Sequence, residues 1–137
     1  MIYVTRKEHF NAAHKVYRPD WTDEKNQAVF GKCANPNWHG HNYDLFVTVK
    51  GMPSAETGFV MDIKQLSNLI NDEVIKHIDH KNLNLDVPFL KDKIPSTENL
   101  AIAIWQRLFD KIAQHNCTLH AIKLYETERN FVEYFGN

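Results

Sequence analysis

From residue 39 onward, polar and apolar residues alternate. His39, Tyr43, Leu45, Val47 and Val49 fall on one face of the segment, and Asn42, Asp44, Thr48 and Lys50 on the other. A period of two predicts a half-buried strand over 39–50. Residues 1–14, from IYVT to HFNAAH, predict another strand. Between them, residues 15–38 are polar and rich in Asp, Asn, Lys and Pro, with Tyr17, Trp21, Phe30 and Trp38 scattered through. They predict a loop, and a loop of that length in a compact domain is usually functional. GMPSAETG, residues 51–58, is turn chemistry. The period then changes. Ile63, Leu66, Ile70, Val74 and Ile78 recur at three and four behind Asp62 as a cap, which predicts an amphipathic helix. DHKNLNLDVPFLKDKIP, residues 79–95, predicts an irregular connection. Ser96 or Thr97 then caps a second helix with Ala101, Ile104, Trp105, Leu108 and Ile112 as its inner stripe. TLHAIKLYE alternates again, with His120, Ile122, Leu124 and Glu126 on one face, and RNFVEYF closes the chain as a last strand. The order ββααββ predicts an α+β fold, an antiparallel sheet with two helices on one face. The other face and the sheet edges then need cover, which predicts oligomerisation.

Composition narrows this picture. At 137 residues the chain predicts a single domain, residues 1–137. Sixteen basic against seventeen acidic side chains leave a net charge of −1, which argues against a general electrostatic grip on nucleic acid. The apolar runs are a few residues long, far short of a membrane span. MIYVTRKEHF has no basic region followed by an apolar run, so no secretory signal is predicted. Two cysteines, Cys33 and Cys117, make no disulfide framework, and a cytoplasmic protein with reduced thiols is expected. Eight histidines are the compositional oddity.

The histidines define the candidate chemistry. Residues two apart on a strand project the same way, so His39 and His41 stand side by side. Two imidazoles in that geometry can share one metal, and a catalytic zinc takes three protein ligands with one position open. His14, ending the first strand behind two alanines, is the expected third ligand. His9 competes but has the opposite parity. Cys33, six residues before His39, is either a fourth ligand closing a structural site or a base beside an open one. Cys117 is read as packing. Asp79 directly precedes His80, a pair suited to general acid–base work. Glu126 stands where an apolar face runs out, and can accept hydrogen bonds from a flat guanidine-like ligand edge.

CANPNWHGHNY, GFVMDIKQL, DHKNLNLDVPF, PSTENLAIAIW and YETERN, in this order and over nearly the whole chain, resemble the 6-pyruvoyltetrahydropterin synthase family. The resemblance implies the tunnelling fold, in which three ββααββ units close a β-barrel and two trimers stack into a homohexamer. It implies zinc on His14, His39 and His41, Cys33 as the base, and Asp79 and His80 as partners in proton transfer. It sets Glu126 against a pterin ring and puts Ser96, Thr97 and Glu98 on a substrate-contacting stretch. The implied substrate is 7,8-dihydroneopterin triphosphate. One branch of the family eliminates triphosphate to form 6-pyruvoyltetrahydropterin. The other, 6-carboxytetrahydropterin synthase of queuosine biosynthesis, also releases acetaldehyde. The spacing from Cys33 to His39, HNY, YETERN and DHKNLNLDVP resemble the pyruvoyl branch, whereas FNAAH resembles the carboxy branch. Trp38 replaces a small residue common before the first histidine of the pair. A non-catalytic, zinc-stabilised pterin- or purine-binding module is the reading from another class. For the triphosphate, Lys15, Arg18, Lys25 and Lys32 are the basic candidates in the long polar segment.

Overall fold

Two long strands carry the architecture. In the computed structural model, which describes all 137 residues, β1 (Ile2–His14) and β2 (His39–Gly51) pair antiparallel without interruption, from Ile2 opposite Gly51 to His14 opposite His39. β2 shows the expected alternation: Tyr43, Leu45, Val47 and Val49 are fully buried while their neighbours are not. β4 (Thr118–Tyr125) pairs with β2, and β5 (Phe131–Tyr134) with β4. A short fifth strand, β3 (Lys81–Asn82), lies parallel to β1 at Ala12 and Ala13. The sheet order is β3-β1-β2-β4-β5. β3 falls inside the connection expected to be irregular. Two residues are too few to leave a periodic signal.

Segment 15–38 is not a loop throughout. It contains helix α1 (Asp23–Phe30), followed by a 3-10 turn over Gly31–Ala34. Thr22 caps α1 by accepting from the Lys25 N–H at 3.1 Å, and Asp23 and Glu24 favour the positive end of the helix dipole. The helix leaves no apolar stripe in the sequence, because its one buried residue is Asn26. That side chain accepts from the Arg18 N–H at 2.8 Å and donates to the Arg18 carbonyl at 3.0 Å. A side-chain amide therefore docks α1, where hydrophobic periodicity usually would.

Helix α2 (Ile63–Ile70), capped by Asp62 accepting from the Lys64 N–H, runs into a π turn over Asn71–Ile75 and ends at Lys76–Ile78. Leu66, Ile70, Val74 and Ile78 are fully buried, whereas Ile63 is exposed. Steps of four residues drift around an ordinary α-helix. The wider i→i+5 turn takes up the excess and keeps the stripe on the sheet. Ser96 caps α3 (Thr97–Ile112), whose Leu100, Ala101, Ile104, Leu108 and Ile112 enter the core, with Trp105 half-buried against Tyr134. These residues pack with Phe10, Tyr43, Leu45, Ile122 and Leu124 of the sheet. A β-bulge between Thr48 and Val49 of β2 resets the parity of β4. Leu119 is buried, and His120 turns away from the core, edge-on to Tyr3. The expected shared face for His120 and Ile122 fails for that reason. The other sheet face carries Thr5, Lys7, His9, Asp44 and Thr48 and has no helix over it. No helix is long and apolar enough to cross a membrane.

Candidate active site

The last pair of the β1–β2 ribbon brings His14 and His39 together, and His41 follows opposite Ala12. The small side chain of Ala12 leaves room for the third ring. Candidate ligand nitrogens of the three histidines lie within 4.8 Å of one another. Ring centroids are separated by 4.5 Å (His14–His39), 5.1 Å (His14–His41) and 5.0 Å (His39–His41). His14 is 1% exposed. Its Nδ1 lies 2.8 Å from the Pro95 carbonyl, which only accepts, so Nδ1 carries the proton and Nε2 presents its lone pair. His14 Nε2, His39 Nδ1 and His41 Nε2 are buried and have no hydrogen-bond partner.

Burial depresses the pKa of all three imidazoles. For His14 and His41 it outweighs the attraction of Glu126, and for His39 the neighbouring His14 adds to it. The neutral imidazole is the form that binds metal. Three neutral rings with stranded nitrogens are a donor set that fits a divalent transition metal.

Glu126, one residue beyond β4, points its carboxylate at the same place. Oε2 is 3.9 Å from His14 Nε2 and Oε1 is 3.7 Å from His41 Nε2. The Thr97 hydroxyl donates to Oε2 at 2.5 Å. Thr97 is the first residue of α3, so the helix cap at Ser96, the Pro95 carbonyl behind His14 and the Thr97 bond to Glu126 form one continuous support. Ser96 acts as that cap, and Glu98 is exposed in the first turn, outside the group. Tyr43 shares the parity of His41. Its hydroxyl is buried without a partner, and burial together with Glu126 raises its pKa.

The other predicted residues lie elsewhere in the chain. Cys33 sits exposed in the 3-10 turn, is not one of the converging groups, and is tied to the segment just past β1 through its carbonyl, which accepts from the Val16 N–H at 2.8 Å. Asp79 and His80 do form a pair, with Oδ1 and Nδ1 3.0 Å apart. The Asn11 N–H also donates to Asp79, and the His80 N–H donates to the Asn11 carbonyl. Burial pushes the Asp79 carboxyl up, but the Asn11 and His80 hydrogen bonds bring it below its ordinary value. His80 adopts φ 60° and is 75% exposed at its side chain. It borders a cleft of about 540 Å³ that is lined by Asn11, Ala13, Gly40 and Asn42 of the opposite parity and also by His41. His9 lies on that outer face, paired with Asp44. Cys117 packs in the core against Met61.

A family model described as 6-pyruvoyl tetrahydropterin synthase matches residues 3–137. The chain belongs to that family. A 6-pyruvoyl tetrahydrobiopterin synthase of Pongo abelii is 43% identical over 133 residues, covering 97% of this chain and 90% of its own. The solved 6-pyruvoyl tetrahydropterin synthase of Caenorhabditis elegans superposes with a TM-score of 0.92 at 32% identity, covering 99% of this chain and 96% of that one. A 6-carboxy-5,6,7,8-tetrahydropterin synthase of Rickettsia typhi is more distant, at 29% over 149 residues, covering 97% and 99%. Sequence reasoning missed two members of the site. The Pro95 carbonyl left no signal, being a backbone atom 81 residues from His14. Tyr43 left one, its place two residues after His41 on the same face.

Proposed function

We propose that this protein is a zinc-dependent lyase that converts 7,8-dihydroneopterin triphosphate to 6-pyruvoyltetrahydropterin with elimination of triphosphate. The observation that carries the reading is the convergence of three unpartnered imidazole nitrogens beside the Thr97-supported carboxylate of Glu126. His14, His39 and His41 would hold the metal, with Pro95 fixing the tautomer of His14. A bound zinc ion supplies Lewis acidity to hydroxyls on the substrate side chain. Glu126 accepts from the 2-amino and ring N–H edge of the pterin, and Thr97 orients it.

In this reading Cys33 removes a carbon-bound proton from the side chain, and His80, held by Asp79, moves protons on the other side. The ring gains the two hydrogens that the side chain gives up, so the oxidation is internal. The C–O bond to triphosphate breaks and the pair of electrons leaves with it. Neither Cys33 nor His80 joins the histidine group within one chain. A homohexamer, a dimer of trimers with the open sheet faces lining a barrel, would bring neighbouring copies to complete the site. The free cysteines suit a reducing cytoplasm.

Mass spectrometry of the products from dihydroneopterin triphosphate, with a trap for acetaldehyde, tests the reading. 6-Pyruvoyltetrahydropterin without acetaldehyde is expected. 6-Carboxytetrahydropterin with acetaldehyde moves the protein to the queuosine branch. A folded, zinc-loaded protein without turnover is a binding module.

A further inference from the structure

One step past the His14–His39 pair stand Lys15 and Trp38. The Lys15 Nζ lies 4.2 Å from the centroid of the Tyr17 ring and 5.8 Å from that of Trp38. Its backbone is gripped twice by one side chain: the Lys15 N–H donates to Asn84 Oδ1, and Asn84 Nδ2 donates to the Lys15 carbonyl, both at 2.9 Å. Trp38 holds φ 66°, a left-handed conformation that bulky residues rarely adopt and that marks a place where the surroundings enforce it. No carboxylate oxygen comes within 4.0 Å of the Lys15 ammonium. A half-buried cation oriented by two ring faces, with no counter-charge, is free to take an anion.

The other basic side chains of the segment differ. Arg18 is already bound through two N–H groups to Asp20, at 2.9 and 2.8 Å. Lys25 is exposed on α1, over the Trp21 ring, and Lys32 is exposed as well. Lys15 alone is half-buried, and it directly follows His14 in the chain. We propose that the Lys15 ammonium, held between Tyr17 and Trp38, grips the triphosphate tail of the substrate as it rounds the end of the β1–β2 ribbon. This rests on the lyase reading above and names the positioning residue for its leaving group. Trp38 sets the reach of the lysine, which accounts for an indole at a strained position.

The test measures affinity of the zinc-loaded protein for inorganic triphosphate, for dihydroneopterin triphosphate and for dihydroneopterin itself. Lys15→Gln is expected to weaken binding of both triphosphates by about tenfold or more, the loss of one charge-assisted contact, and to leave dihydroneopterin within about twofold. Lys15→Arg restores most of the affinity, because it keeps the charge and stacks on aromatic faces. Trp38→Gly, which suits the left-handed backbone and removes the ring, weakens triphosphate binding while keeping Lys15. Triphosphate affinity unchanged in Lys15→Gln overturns the proposal, as does an equal loss for dihydroneopterin. Lys15-dependent triphosphate binding by a protein that makes no product upholds the clamp and sinks the lyase reading instead.

Discussion

At the level of single residues, the site is a set of neutral imidazoles backed by one carboxylate. Parity made His14, His39 and His41 legible in the sequence, because strand geometry aligns residues two apart. The Pro95 carbonyl was not legible, since hydrogen bonding by backbone carbonyls is set by tertiary placement. His14→Ala should drop bound zinc from one per chain to near zero by elemental analysis, with the fold retained by circular dichroism. Glu126→Gln keeps the shape and can still accept from Thr97, so zinc content should not change, while pterin affinity falls about tenfold with loss of the charged acceptor. Retained affinity there would remove Glu126 from pterin recognition. The metal-free protein has its own pH signature. Burial lowers the folded-state pKa of the three histidines from the ordinary 6.5, so the unfolded chain takes up protons first as pH falls. Their contribution is fully present above pH 6.5 and is lost as pH falls from there through the folded-state values. Urea midpoints of the apo protein should therefore drop below pH 6.5, and zinc, which holds the folded-state imidazoles unprotonated to lower pH, should raise the midpoints above pH 6.5 and make the decline below it steeper.

Among the elements, α3 does most to organise the site. Its N-terminal approach supplies the Pro95 carbonyl, the Ser96 cap and Thr97 in three successive residues. Ser96→Ala should cost about 1 kcal/mol of stability, the usual value of an N-cap. Because the cap fixes Pro95 and Thr97, zinc affinity should weaken in the same variant, which a surface cap elsewhere would not do. Asp62→Ala at the start of α2 is the control: a similar loss in thermal melts with zinc affinity intact. The long strands and both amphipathic helices were legible from periodicity. α1, β3 and the bulge were not, and each has its own cause. α1 docks through Asn26, β3 is two residues long, and the bulge inserts His120 without altering the run of apolar residues around it.

For the whole molecule, the open face of the sheet is a large surface without cover. One chain leaves Lys7, His9, Asp44 and Thr48 uncovered, and leaves β3 and β5 as edges. The same chain sets His80, paired with Asp79, on a cleft that His41 also lines, and neither His80 nor Cys33 is among the converging ligand groups. The proposed reaction uses Cys33, His80 and the metal together, and whether one chain or neighbouring chains supply Cys33 and His80 is open to a direct test. Cys33→Ala and His80→Ala variants should each be inactive and each bind zinc. If both groups at one site come from a single chain, mixing the two variants after dissociation and reassembly restores nothing. If neighbouring chains supply them, random assortment leaves both groups intact at about a quarter of the interfaces, and about a quarter of wild-type activity returns. Sedimentation of the mixture should show one hexameric species throughout. Activity returning without reassembly, or a monomer as active as the mixture, would remove the need for the partner and with it the proposed hexameric site.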